Sequence, residues 1–255
     1  HVHLRRQRQM CIRDSFDNSP LASSGLPSKN ELELLNVWKD EIPAEVFTES
    51  FTPPITDGSG NDRKNLLKAK EILEKEGWFV EDGKLVKDGK EFKFEFLIVS
   101  PSDEKIALAY QSNLKKLGIT MDVRTVDSSQ YQERLLSYDF DMIKRYWGVS
   151  LSPGNEQQFY WGSEVGQKDG SRNYPGINSP AVDALIEKLI SATNREELTT
   201  AIHALDRVLL WGHYVVPLYH SNKDRIAYWD FFEYPDEIPL YGIVIESWWI
   251  NQDKQ

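Results

Sequence analysis

Two strand-like stretches flanking a helical one, all within residues 92 to 123, limit the architecture of this chain more than anything else in it. Phe92, Phe94, Phe96 and Ile98 alternate with polar neighbours until Leu97 and Val99 make the end apolar on both faces. From about Asp103, Ile106, Tyr110, Leu114 and Leu117 recur at helical spacing up to Gly118, after which Ile119, Met121 and Val123 alternate again. Strand, helix and strand over so short a span predict a parallel βαβ unit with a right-handed crossover, and so an α/β fold.

The pattern extends on both sides. Asp62 can cap a helix with Leu66, Ala69, Ile72 and Leu73 on one face and Gly77 at its end, and Asp82-Gly83 and Asp88-Gly89 are turn-forming pairs. Ser128 opens a short helix through Leu136, and Tyr138 to Trp147 is expected to return as a strand carrying Asp139, Asp141, Lys144 and Arg145. Ser179 and Pro180 start a helix bearing Val182, Leu185, Ile186, Leu189 and Ile190. Asn194 with Glu197 resembles a capping box ahead of Leu198, Ala201, Ile202, Leu205, Val208 and Leu209, a face that runs to Gly212. The two helices are expected to pair antiparallel. Tyr214 to Tyr219 reads as a strand with Pro217 at an edge or bulge. Phe16 to Gly60 reads as extended, surface-hugging chain with short helical possibilities at Glu31 to Leu35 and Ala44 to Phe47, and Arg225 to Trp249 is aromatic without a clear period.

Composition narrows the partners. The 255 residues are 40% hydrophobic and carry a formal charge of −10, which works against nucleic acid or an anionic membrane as the main partner. The longest apolar runs, such as Val208 to Trp211, fall far short of the roughly 20 residues a membrane helix needs. Residues 1 to 15 carry four Arg, one Asp and the only cysteine, Cys11, so residues 16 to 255 hold −13 and no thiol. The first fifteen residues are therefore expected to be a non-native leader, and a cysteine-free body suits an extracytoplasmic protein.

Between Trp147 and Pro180 lie some thirty residues rich in Gly, Ser, Asn and aromatics. Loops that long in compact domains are usually functional, and Trp147, Phe159, Tyr160, Trp161 and Tyr174 supply more aromatic surface than a disordered segment carries. Flat rings with polar edges, together with Asn155, Glu156, Arg172 and Asn173 as directional hydrogen-bonding groups, have the mixture of a ligand pocket. Taken singly, each aromatic is more simply core, and Arg172 can equally brace the loop against Glu156 or Asp183.

Signals for catalysis are weak. Asp139 and Asp141 on one strand face would stand about 6.6 Å apart, within the range of paired glycosidase carboxylates, but alternating acids on a half-solvated strand are common. His203, His213 and His220 lack metal-ligand spacing. Ser150 sits in a sequence without the second glycine of a nucleophile elbow, and no nucleotide-binding loop is present. No catalytic residue, metal or cofactor is expected; the alternative is a carbohydrate-active hydrolase using Asp139 or Glu156.

AKEILEKEGW at 69 to 78, NLKKLGI at 113 to 119, DFDM at 139 to 142, SPGNEQ, GSRN, and ALDRVLLWGHYVVPLYH at 204 to 220 together resemble the bacterial extracellular solute-binding proteins of family 5, the oligopeptide-type receptors of ABC importers. With FDNSPLASSGLPS at 16 to 28 the resemblance is to the microcin C and oligopeptide binding-protein subgroup. It implies a type II (cluster C) periplasmic binding protein-like fold of two lobes closing on a peptide. Residues 16 to 220 would supply the second lobe, and 221 to 255 would return into a first lobe that is missing, leaving Trp229, Phe231, Trp248 and Trp249 poorly covered. It also implies a periplasmic monomer that needs no cofactor and delivers its solute to a membrane permease. In relatives an acidic residue three positions after the loop tryptophan pairs with the ligand's free amino group. Counting from Trp147 this chain has Ser150, whose neutral hydroxyl does not replace that charge, so a blocked amino end or a different ligand orientation is expected. From its place in the loop, Arg172 is the expected anchor for a ligand carboxylate or carbonyl.

Overall fold

A computed structural model describes residues 16, 19–56, 60, 62–147, 152–166, 168–218, 226–237 and 243–254. They fall into two compact units, one ending at Pro217 and one beginning at Leu218. The leader over residues 1 to 15 and the site candidate Ser150 lie outside the described residues.

In the first unit, Ser28 and Glu31 form a reciprocal capping box at the start of α1 (Lys29–Leu35), and α2 (Glu45–Thr48) follows. Asp62 caps α3 (Arg63–Lys75) through the Asn65 amide, as expected. β1 (Phe79–Glu81), β2 (Lys84–Lys87) and β3 (Lys90–Glu91) make an antiparallel meander. Its turns are the Asp82-Gly83 and Asp88-Gly89 pairs, with all four residues at positive φ, the conformation whose twist matches that of the strands it joins.

β4 (Lys93–Ile98), α4 (Pro101–Lys115) and β5 (Thr120–Thr125) are the anticipated βαβ unit, with parallel pairing from Lys93↔Thr120 to Ile98↔Thr125. α4 starts earlier than its apolar period suggests because the Ser100 side chain caps it and Pro101 occupies its first turn. α5 (Ser128–Leu136), capped by Asp127, leads to β6 (Met142–Ile143), which lies parallel to the other side of β4. The sheet order is β5-β4-β6. Phe96 and Ile98 pack with Ala107 and Leu114 of α4, whereas Leu97 packs with Tyr131 and Leu135 of α5. The doubly apolar end of β4 therefore reflects a strand covered on both faces.

The strand expected over Tyr138 to Trp147 is a correction, since only Met142 and Ile143 reach a ladder partner. Tyr138 sits at φ 55°, and Arg134 holds Asp139 at 2.8 Å, so this part of the chain belongs to the exit from α5. α6 (Glu156–Trp161) and α7 (Ser163–Gly166) stand in the stretch that showed no period. α8 (Pro180–Ile190) and α9 (Arg195–Trp211) begin at their expected caps, Ser179 and Asn194. Val182, Leu185, Ile186 and Leu189 share one core with Ala201, Ile202, Leu205, Val208 and Leu209. Each fully buried Leu or Ile there stabilises the fold by roughly 1.5–3 kcal/mol relative to exposure. Tyr214 to Leu218, the described part of the last expected strand, has no ladder, and Pro217 lacks the amide one would need.

The segment read as surface-hugging is instead an interior strap. Phe16, Leu21, Leu35, Ile42 and Val46 are buried in the α8–α9 core. Two polar fasteners hold it down. The Ser23 amide and hydroxyl both donate to Asp206 Oδ2, at 2.8 and 2.6 Å. Arg207 Nε donates to Glu31 Oε2 at 2.6 Å, and the same guanidinium donates to the carbonyls of Ser24, Gly25 and Leu26. Buried charges persist only when paired and hydrogen-bonded in this way, and nothing in the strap's sequence marks Glu31 as a core residue.

In the second unit, β7 (Phe232–Glu233) and β8 (Trp249–Ile250) pair antiparallel, and Tyr228, Tyr234 and Trp248 cluster with ring centroids 5.0–5.7 Å apart. Trp229 and Trp249 are exposed, Phe231 and Trp248 partly buried.

Candidate ligand-binding site

In an open parallel sheet, ligands bind beyond the carboxyl ends of the strands, at the point where successive connections leave to opposite sides. Here that point is β4: α4 carries the chain to β5 on one side, and α5 carries it to β6 on the other. The residues delivered there are Ser100 and Asp103 after β4, and Lys144, Arg145, Tyr146 and Trp147 after β6. Among the described residues β6 is an edge strand, with no ladder partner on one of its sides.

Each side chain after β6 has a distinct setting. Lys144 forms an ion pair with Asp103 at the start of α4, and that bond raises its ammonium above the ordinary lysine range. Arg145 lies 4.7 Å over the Tyr174 ring and donates from Nη2 to its hydroxyl at 3.1 Å. Tyr146 points outward, 82% exposed. Trp147 is half-buried, its ring 5.3 Å from that of Trp161 and inclined by 30°. Arg145 Nε and Trp147 Nε1 are buried without a hydrogen-bond partner among the described residues.

The residues singled out from sequence separate into two groups. Asn173 is fully buried and committed to the fold. Its amide nitrogen donates to the carbonyls of Gly162 and Ile177, at 3.0 and 2.8 Å, and its oxygen accepts from the Ile177 amide at 2.9 Å. Glu156 receives the Gly154 amide on both carboxylate oxygens at 3.0 Å, bracing the turn before α6. By contrast, Asn155 and Arg172 are exposed, and Asn155 makes no side-chain cap bond to α6. The Tyr138 hydroxyl meets Ser171 beside Arg172, so this short stretch is held on both flanks of its one exposed cation. Lys144, Arg145, Tyr146 and Asp103 were not marked as site residues by sequence, and Tyr174 entered only as one of the loop aromatics. The signal available was the basic-aromatic run Lys144 to Trp147 at the predicted end of a strand.

The carboxylates considered for hydrolysis have different partners. Asp139 pairs with Arg134, and Asp141 accepts from the Glu95 amide at 2.8 Å. His203 lies beside Glu31 and Pro20, far along the chain from the site candidates, and His213 lies among Phe51 and Trp211. His220 lies outside the described residues. Among the described residues no group of three or more His, Cys, Asp and Glu side chains is placed to hold a metal ion. No helix there is long and apolar enough to cross a membrane.

Residues 38–169 match the middle part of the bacterial extracellular solute-binding proteins, family 5. The chain is 43% identical over 241 residues to the protein named probable peptide-binding protein YejA of Agrobacterium fabrum, covering 93% of this chain and 39% of that one. It is 39% identical over 236 residues to the peptidoglycan-binding protein YepA of the same organism, covering 92% and 38%. It thus spans about two fifths of the length of these relatives. Among solved structures, the oligopeptide-binding protein AppA of Bacillus subtilis, in complex with a nonapeptide, matches with a TM-score of 0.60 at 22% identity. That match covers 87% of this chain and 45% of AppA, and it establishes a shared fold.

Proposed function

Because the chain belongs to the bacterial extracellular solute-binding proteins of family 5, we propose that it is part of the substrate-binding component of an ABC importer, which captures peptides or peptide-like solutes in the periplasm and hands them to a membrane permease. Residues 16–220 act as the second lobe, and 221–255 return toward a first lobe. The receptor works as a monomer, without cofactor and without chemistry on the solute. Ligand binding favours the closed arrangement of two lobes, which is the form the permease meets.

The observation that carries this reading is the edge position of β6 at the carboxyl end of the sheet, with Lys144 to Trp147 running on from it. An extended peptide can add its main chain to such an edge, gaining backbone hydrogen bonds that any sequence supplies, while flanking side chains select. Trp147 lines the peptide's path, Ser150 meets its amino end, and Asn155 and Arg172 supply polar contacts, with Arg172 taking a carboxylate or carbonyl. Glu156 and Asn173 hold the loop that presents them. The relatives' names speak of peptide binding and of peptidoglycan binding, which supports a peptide-like solute.

The test is the melting temperature of the protein with free-amine tri-alanine and with N-formyl tri-alanine. A ligand present at a hundredfold its Kd stabilises the native state by about 2.7 kcal/mol. We expect a rise with peptide, larger for the formylated one because Ser150 offers no charge to an ammonium. A rise of equal size with both removes the role given to Ser150. No rise with either moves the solute class away from peptides.

A further inference from the structure

Resting on the peptide-receptor reading above, we propose that Tyr146 determines specificity at this site, its ring serving as a fixed platform for a ring carried by the ligand, either an aromatic side chain or a sugar. Three observations converge on this residue. First, Tyr146 is 82% exposed and lies three residues beyond the end of β6, the edge proposed to pair with the peptide. Second, its chain neighbours are anchored inward: Lys144 by Asp103, Arg145 by Tyr174, and Trp147 by Trp161. The backbone that carries the ring is therefore held on both sides. Third, the Lys144 ammonium lies 5.1 Å from the ring centroid, which steadies the ring and occupies one of its faces.

A ring so placed has lost its freedom before the ligand arrives, so stacking on it costs little further order. An aromatic side chain can offer its polarised C–H edge and a pyranose its axial C–H bonds, so both can set C–H bonds against the π face. Aromatic pairs of this kind strengthen binding by about three- to tenfold. Main-chain pairing along β6 accepts any peptide, so the outward ring is where one peptide is told from another.

Titration calorimetry on the protein with tri-alanine, Ala-Phe-Ala and N-acetylmuramoyl-L-alanyl-D-isoglutamine tests this. We expect at least one ring-bearing probe to bind about three- to tenfold tighter than tri-alanine. That advantage should vanish in Tyr146→Ala and persist in Tyr146→Phe, which keeps the face and loses only the hydroxyl. The probe that shows the advantage identifies the ring as aromatic or sugar. An advantage that survives in Tyr146→Ala overturns the assignment, as does equal affinity for all three probes; the receptor reading stands in both cases. If no probe binds the unaltered protein, the solute class moves away from peptides and the platform falls with the peptide reading. The side chain's exposure makes either variant compatible with the fold, which the unchanged melting temperature of the unliganded protein checks.

Discussion

Glu31 keeps its charge in a nearly dry place. Burial pushes its carboxyl pKa up, but the His203 imidazole 3.9 Å away and hydrogen bonds from Arg207 and Ser28 outweigh that and bring it down to about 2. Its folded pKa is lower than its unfolded one, so the stability it contributes is present above about pH 4.5 and is lost as pH falls toward 2. His203 moves the other way, raised chiefly by Glu31. Its contribution is complete below 6.5 and fades as pH rises through its folded pKa. Stability measured by urea unfolding should therefore peak in mildly acid buffer and fall on both sides. Glu31→Gln should cost roughly 3 kcal/mol, because Arg207 would stay buried without a carboxylate, and it should flatten the acid limb. An unchanged acid limb in that variant would place the titration elsewhere. Neither role was legible in sequence. Asp206 and Arg207 fall within an apolar helix face, and their partners lie more than 170 residues away. Asn173 makes the same point: an Asn in a loop offers the same groups to a ligand or to its own backbone, and only the carbonyls of Gly162 and Ile177 decide between them.

Elements were readable where burial extends over many residues. α8 and α9 bury a full stripe and end at side-chain caps, so period and punctuation agree. β4 could be read for the same reason. β6 was anticipated within Tyr138 to Trp147 but not its bounds, because two paired residues are too few to impose a period on the chain around them. The β1–β3 meander was visible only through its turns. It is tied to the sheet by the Leu85 amide, which donates to the Gly118 carbonyl at 2.7 Å. Gly118 adopts φ +79°, and an added Cβ would meet Leu85 N at 2.8 Å. Gly118→Ala should therefore lose roughly 2–4 kcal/mol, combining the strained backbone with a clash against main chain. Gly83→Ala, at the same φ of +79° but with nothing within 4 Å, should lose only the backbone part, about 1–2 kcal/mol. Equal losses in thermal unfolding of the two variants would show that the close approach to Leu85 carries no weight.

At the scale of the whole molecule, every buried residue described lies at or before Leu210. A chain cut after Pro217 should therefore keep cooperative unfolding and a melting temperature within a few degrees of the parent. A non-cooperative transition would mean that the segment beginning at Leu218 is needed for the first unit to hold together. The α/β class followed from local patterns, whereas the strap did not, since its importance lies in where it docks. That docking also bears on time. The sheet closes short loops, with Lys93 meeting Thr120, whereas Ser23 must find Asp206 and Glu31 must find Arg207 across almost the entire first unit. Contacts so distant along the chain repay their loop entropy late. Until they form, the apolar face of α9 that receives Phe16, Leu21 and Leu35 stays uncovered. The folding chain is thus most prone to stick to its neighbours in the interval between completing its helices and seating Phe16, Leu21 and Leu35.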